Sequence, residues 1–343
     1  MRDRIIAVLG VTGTQGGSVA RTFVHIPGWK VRGITRNKTS SASRELERLG
    51  VELVEANLDN VESLAKAFSG VNAIFAVTDF WQFPQDPKTH ELVAAKGITW
   101  NEACYELEYQ QGVNLLDAAA RRANDSDFDR LIVSSLSGAR QSSQGKYNWV
   151  YHFDSKAQYV QYLKIKAQTS PDHRDLLDKT SYVQIGNYLD NWKMNPILKP
   201  YKRDDGYFVW RRIATEAGTI HPMPFVHPPT DAGPFVEALV LRAPPRTTML
   251  GTSAVMHFSQ YVDLWGKLCG VPATTEDVTL EQMDAFFPGG FGREVGETMA
   301  YVSEYGWDGG EGALLPADVG VDLKALTTPE SYIKNMDWSS VLG

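Results

Sequence analysis

Three observations predict a doubly wound α/β fold, a parallel sheet of Rossmann type with a smaller α+β region toward the C-terminus. Short Val/Ile/Leu runs alternate with helical segments up to about residue 135, the pattern of successive βαβ crossovers. The strands read as near-continuous apolar runs, as strands buried on both faces of a parallel sheet do. A glycine-rich turn, Gly10 to Gly17, joins the first strand to the first helix.

Each element follows in order. "RIIAVLG" is an apolar run closed by Gly10, and "SVARTFVHI" then has helical spacing. "KVRGITR" is the second strand, "SASRELERLG" a helix ended by Gly50, and "VELVEAN" the third strand. "VESLAKAFSG" is again a helix closed by glycine, followed by strand "VNAIFAVT", the long helix "NEACYELEYQQGVNLLDAAARRA" and strand "RLIVSS". Beyond residue 135 the pattern loosens. "YHFDSKAQYVQYLKIKA" reads as a helix and "TSYVQIGNY" as a strand with its exit. Residues 192 to 235, rich in proline and aromatics, read as loop and hairpin; "VMHFSQYVDLWGKLCG" is helical and "TEDVTL" a short strand. The expected division is a nucleotide-binding domain over 1–155. Residues 156–343 would complete the sheet and form the smaller substrate-binding domain over it. No internal repeat or low-complexity tract interrupts the chain.

Composition narrows the class. In 343 residues, 43% hydrophobic and 22% charged content fit a globular protein with a sizeable core. A net charge of −7 provides no global attraction to nucleic acid or anionic membrane. There is no basic stripe or helix-turn-helix pattern, so direct DNA binding is not expected. No apolar run approaches the ~18–20 residues that span a bilayer, and the N-terminal run is too short for a signal peptide. The two cysteines, Cys104 and Cys269, have neither metal nor disulfide spacing. His221 and His227 flank prolines without metal-like spacing, and no metal site is expected. The expected compartment is the cytoplasm, or the nucleus for a regulator; the oligomeric state is not legible.

The glycine turn carries the chemistry. In Gly10-x-x-Gly13-x-x-Gly16 the first glycine allows the sharp turn, the second lets the backbone approach a pyrophosphate, and the third lets helix and strand pack closely. Thr12, Thr14 and Gln15 lie in the same loop, at a helix N-terminus whose free N–H groups favour anions. Where an NAD-binding strand would end in Asp or Glu, this second strand ends in Arg36, Asn37 and Lys38. Two cations and an amide suit a 2′-phosphate, because guanidinium offers a planar fork of donors. The expected cofactor is therefore NADP(H), the other reading being a solvated basic turn. Asn57, Leu58, Asp59 and Asn60 follow the third strand, at the adenine edge, and Val77, Thr78, Asp79, Phe80 and Trp81 follow the fourth, beneath the nicotinamide half. Both placements rest on ligands binding at the carboxyl ends of strands near the switch point.

Together "GVTGTQGGSVA", "ITRN", "VTDFW", "QQGVNLLDAA", "HFDSK" and "NYLDN" resemble the NmrA-like family, a branch of the atypical short-chain dehydrogenase/reductases. The resemblance runs from residue 5 to about 195 and thins over the last third. It implies NADP(H) in the cleft, with contacts at Gly10 to Gly16, Arg36, Thr78 to Phe80, Lys156, and Asn187 and Tyr188 of the "NYLDN" motif. Gln110 is also implied, although some relatives carry lysine there.

Ordinary short-chain reductases place a proton-donating tyrosine four residues before a ribose-binding lysine. Here Tyr151 is five before Lys156, and His152 stands in the tyrosine's place. Positions four apart share a helix face, so His152 and Lys156 look the same way while Tyr151 is turned off by roughly 140°. The resemblance leaves Lys156 the ribose role, with His152 as the stand-in proton donor. A neighbouring ammonium should disfavour imidazolium. The alternatives are a reaction needing little acid catalysis, such as hydride delivery to an iminium, no reaction at all, or a histidine that merely packs. Ser135, with Ser134 at the end of the fifth strand, lies where such reductases polarise a carbonyl. Residues 137–149 are long and polar enough for a substrate loop, and Tyr188, Trp192, Tyr201, Tyr207, Phe208 and Trp210 could line an apolar pocket. Asp231 reads as a helix N-cap.

The leading expectation is an NADPH-dependent reductase of a small cyclic or aromatic C=O or C=N substrate, as in tailoring steps of secondary metabolism. The alternative is a catalytically silent NADP(H)-binding redox sensor or transcriptional co-regulator that acts through a protein partner.

Overall fold

The computed structural model describes residues 3–194, 196–215 and 221–343. Residues 195 and 216–220, in the predicted loop-and-hairpin region, lie outside the described residues. The strands are β1 (Arg4–Val8), β2 (Trp29–Thr35), β3 (Glu52–Glu55), β4 (Ala73–Ala76), β5 (Arg130–Ser135), β6 (Thr180–Ile185), β7 (Asn187–Tyr188), β8 (Tyr201–Lys202), β9 (Phe208–Ile213), β10 (Met223–Val226), β11 (Thr248–Gly251), β12 (Ala254–Met256) and β13 (Ala273–Val278). Seven of them build the main sheet in the order β11-β6-β5-β4-β1-β2-β3, with every pairing parallel. The order reverses between β1 and β4, which opens a crevice at their carboxyl ends.

Strand alternation divides the core into two layers. Ile6, Val8 and Phe75 face Phe23, Phe235 and Leu239 on one side. Ala7, Leu9 and Ile74 face Phe68, Leu115 and Tyr159 on the other. Full burial of one such large apolar side chain is worth about 1.5–3 kcal/mol. Small residues bring the covering helices close. At Gly233, in the Pro228–Leu241 helix, a Cβ would fall 2.0 Å from Thr22 Oγ1, and at Gly112 a Cβ would fall 2.0 Å from the Tyr159 ring. The long Trp100–Ala120 helix starts in a reciprocal cap: Thr99 Oγ1 accepts from Glu102 N, and Glu102 Oε2 accepts from Thr99 N at 2.8 Å.

After β6 the chain leaves the sheet and returns to it at β11. The intervening and following residues form two three-stranded sheets, β12-β10-β7 and β13-β9-β8. An aromatic core of Trp192, Trp210, Tyr261, Trp265 and Trp338 packs beside them. The expected 155/156 division falls inside the Tyr151–Lys166 helix. The helices Pro87–Lys96, Pro171–Lys179 and Phe291–Tyr305 and the strand β11 were not legible in the sequence. The region expected to be loop to residue 235 turns helical at Pro228, where prolines in the first turn forgo only N–H groups that a helix leaves unpaired. Asp231 is not the N-cap of that helix; His227 is. Asp231 instead reaches back one turn, accepting from His227 N at 3.0 Å and from Thr327 N at 2.9 Å. No described helix is long and apolar enough to cross a membrane.

Candidate functional site

A cleft of about 1880 Å³ runs along the carboxyl ends of the central strands. Its floor begins at the glycine turn, where Gly10 adopts φ +58°. A Cβ on Gly16 would lie 2.2 Å from the Gly10 carbonyl oxygen, so the tight strand-to-helix connection requires glycine there. Gly13 caps the Thr14–Phe23 helix with no side-chain hydrogen bond, which leaves the first-turn amides to face an anion. Gln15 Nε2 donates to Tyr188 Oη at 2.6 Å and so ties the loop to β7.

At the end of β2, Arg36 is exposed and lines the cleft, its Nη1 donating to Gln82 Oε1 at 2.9 Å. Among the described residues Arg36 makes no ion pair, so its guanidinium is available to a phosphoryl group. Asn37, Asn57, Leu58, Val77, Thr78, Asp79, Phe80, Ser135, Asn187 and Tyr188 line the same cleft. Asn60 and three other expected contacts do not. Lys38 is exposed beyond the lining, because the chain turns away after Asn37 into the next helix. Asp59 turns aside to pair with Lys88 and to accept from Gln111 Nε2 at 2.7 Å. Gln110 points out to solvent and donates to Asn114 Oδ1. A step of 100° along the helix makes Gln111, not Gln110, the residue that lines the cleft.

Beneath the far half of the cleft lies a buried polar cluster. Glu108, fully buried, forms an ion pair with Lys156, accepts from Ser155 Oγ, and accepts from Thr78 Oγ1 at 2.7 Å. A charge at 0% exposure is tolerable only when paired and hydrogen-bonded, and this one meets both conditions. Tyr159, next to the cluster, donates from its hydroxyl to the Ser134 carbonyl at 3.1 Å, and burial pushes its phenol pKa up. Asp79 opens to the cleft but sits deep within it; desolvation outweighs the Lys156 charge and lifts its carboxyl above the usual range.

His152 and Lys156 both line the cleft, as their four-residue spacing predicts, while Tyr151 does not. Each carries its own carboxylate. His152 Nδ1 lies 2.8 Å from Glu294 Oε1, and the same oxygen accepts from His152 N at 2.9 Å. The second oxygen of Glu294 accepts from Asn101 Nδ2 at 2.5 Å. The imidazole is walled by Trp81 and Phe80, with centroids 5.1 and 6.0 Å away, and Trp81 in turn meets Phe291 at 5.4 Å. The expectation of a histidine perturbed by a bare ammonium thus meets a different arrangement, two separately paired groups. Of the predicted aromatics, Tyr188, Trp192 and Trp210 line the cleft. Tyr201, Tyr207 and Phe208 do not: Tyr201 donates to Glu276, Tyr207 is exposed, and Phe208 packs on Trp265. Trp81, in the stretch expected beneath the nicotinamide half, and Trp149, at the end of the expected substrate loop, line it too, and so do Trp100 and Phe291, which sequence reasoning did not place there.

Glu108 and Glu294 were both missed. Glu108 left one signal, a carboxylate on the inward stripe formed by Cys104, Gln111 and Leu115. Glu294 left none. Among the described residues no His, Cys, Asp or Glu group could hold a metal ion.

An open parallel sheet with a glycine turn after its first strand and a deep cleft over its switch point defines a nucleotide-binding α/β protein of Rossmann type. More narrowly, the chain belongs to the NmrA-like family, whose model matches residues 2–333. It is 28% identical over 292 residues to FrzB of Cladobotryum sp., an NmrA-like family domain-containing oxidoreductase, covering 82% of this chain and 78% of that one. In fold it is similar to NmrA, a negative transcriptional regulator solved with NADP (TM-score 0.66, 19% identity, 98% of this chain and 95% of that one). The triphenylmethane reductase of Citrobacter sp., solved with NADP(H), is also similar (TM-score 0.60, 17% identity, 96% and 98%).

Proposed function

We propose that the protein is an NADP(H)-dependent reductase of a small cyclic or aromatic C=O or C=N substrate. The observation that carries this reading is an Arg36 guanidinium, without an ion pair among the described residues, at one end of the cleft with His152 and Lys156 at the other. The glycine turn fits a diphosphate, since no side chain caps the first-turn amides of its helix and the turn is so tight that a Cβ at Gly16 would meet the Gly10 carbonyl oxygen. Arg36 would hold the 2′-phosphate, Thr14, Gln15 and Gly16 the diphosphate, and Lys156 the ribose on the nicotinamide side. The reduced nicotinamide supplies a hydride when bound. Lys156, fixed by Glu108, orients that ring; Trp81, Trp100 and Phe291 form an apolar aromatic wall, with Trp100 and Phe291 roughly parallel, that sheds water and packs on an unsaturated ring. Ser135 stands at the strand end to hydrogen-bond a substrate oxygen or nitrogen. Relatives that are described as oxidoreductases support the same class of activity.

Calorimetry with NADPH and NADH, followed by absorbance decay of NADPH with ketones, enones and cyclic imines, tests the proposal. Binding that favours NADPH together with turnover of at least one compound is expected. Binding without turnover across the panel would instead mark a dinucleotide sensor, and no binding at millimolar levels would overturn both.

A further inference from the structure

We infer that Glu294 and His152 form the proton-donating unit of the site, with Glu294 as the positioning residue and His152 Nε2 as the donor to substrate. The inference rests on the reductase reading and assigns it a residue from the far end of the chain. Glu294 is fully buried, and its only described donors are the two nitrogens of His152 and Asn101 Nδ2. A carboxylate that accepts at Nδ1 fixes the tautomer, because the hydrogen bond at one ring nitrogen decides which nitrogen is protonated. It also fixes the ring plane, since the same oxygen holds the backbone N–H of His152. Nε2 is then the only ring nitrogen left for the cleft, and it has no partner among the described residues. The charged groups about the ring are Glu294 from the Phe291–Tyr305 helix and Asp154 and Lys156 from its own helix, the last neutralised by Glu108.

The geometry resolves the missing tyrosine. When a carbonyl carbon accepts a hydride, its π pair moves to oxygen, and oxygen takes the proton from the Nε2–H bond of the imidazolium. The ring is left neutral with Nδ1–H still on Glu294, and the proton consumed in each turnover is replaced on Nε2 by one taken up from bulk solvent after product leaves. Asn101 Nδ2 holds the other oxygen of the carboxylate, which is fully buried and so kept from water.

Nitrogen-15 NMR of histidine-labelled protein, without cofactor or substrate, reads the dyad directly. His152 is assigned by the signal lost in His152→Gln. The neutral ring should carry its proton on Nδ1 in the wild type, and in Glu294→Leu the Nε2–H form should appear. Should Glu294→Leu fail to fold, Glu294→Gln keeps the volume, and its neutral amide, a weaker acceptor, should move the Nδ1–H resonance upfield. A wild-type ring protonated at Nε2, or variants with unchanged signals, would overturn the inference. For a carbonyl compound turned over by the wild type, Glu294→Gln should lose about 100-fold in kcat, within the range for acid catalysis, with NADPH affinity unchanged. Wild-type kcat in that variant would remove Glu294 from the reaction while leaving the reductase reading intact. A wild type that binds NADPH and turns over nothing would overturn the reductase reading and the donor role with it.

Discussion

Glu108 and Lys156 offer the sharpest energetic test, because each is buried for the sake of the other. The side chains are 0% and 11% exposed, and Glu108 also satisfies Thr78 and Ser155. Glu108→Ala leaves the ammonium and two hydroxyls without an acceptor. Breaking a buried pair by deleting one partner costs about 3–5 kcal/mol. Lys156→Met keeps a carboxylate with two hydroxyl donors and should cost less, about 2–3 kcal/mol, since hydrogen bonds to a charged group are worth roughly 1.5–3 kcal/mol each. The double replacement Glu108→Leu with Lys156→Met removes both charges and leaves only hydroxyls unsatisfied, for about 1–2 kcal/mol in all. The coupling therefore exceeds ~2 kcal/mol, a large share of a stability of about 5–15 kcal/mol. Urea unfolding followed by tryptophan fluorescence and far-ultraviolet dichroism, with coincident transitions, measures it. Costs that add to within about 0.5 kcal/mol would show two independent surface-like groups and refute the reasoning.

Further outcomes follow from the same geometry. Arg36→Asp should weaken NADPH binding about 10- to 100-fold and narrow or invert the preference over NADH, from the loss of a charged hydrogen bond of roughly 1.5–3 kcal/mol; calorimetry with both coenzymes checks it. Gly16→Ala should abolish coenzyme binding while far-ultraviolet dichroism stays native, since its Cβ meets the Gly10 carbonyl at 2.2 Å and the turn must open. Burial pushes the Asp154 carboxyl up to about 6 from 3.8, against the opposing N–H and charge of Arg140. A raised carboxyl binds its proton more tightly in the native state, so stability falls as pH rises from about 4 to 6. Asp154→Asn keeps the acceptor for Arg140 N and removes that slope, gaining up to roughly 3 kcal/mol at pH 7 relative to pH 4; urea midpoints across that range measure it.

The half of the fold built from parallel strands was legible because its signals are local. "RIIAVLG" declares its burial by composition, and Gly10, Gly13 and Gly16 declare the turn by spacing. The face shared by His152 and Lys156 followed from helix geometry alone. What escaped depended on contacts distant in sequence. Glu108 meets Lys156 across 48 residues and Glu294 meets His152 across 142, and no local pattern encodes either. Gln110 was carried over from the family resemblance, and one step around the helix puts Gln111, not Gln110, against the cleft. The strand β11 is four residues of "TMLG", too short and too mixed for periodicity to mark. Tyr207 and Trp210 are neighbours in sequence, yet one faces solvent and the other the cleft, a choice made by the hairpin between β8 and β9.

In the proposed donor role of His152, the Phe291–Tyr305 helix would make proton delivery answerable to a segment 142 residues away from the histidine. Anything that pried that segment loose, whether a protease, a partner or a mutation in its packing, would disarm the histidine and leave the grip on the coenzyme at the opposite end untouched. On that proposal, coenzyme capture and hydride chemistry could be uncoupled by a single detachment.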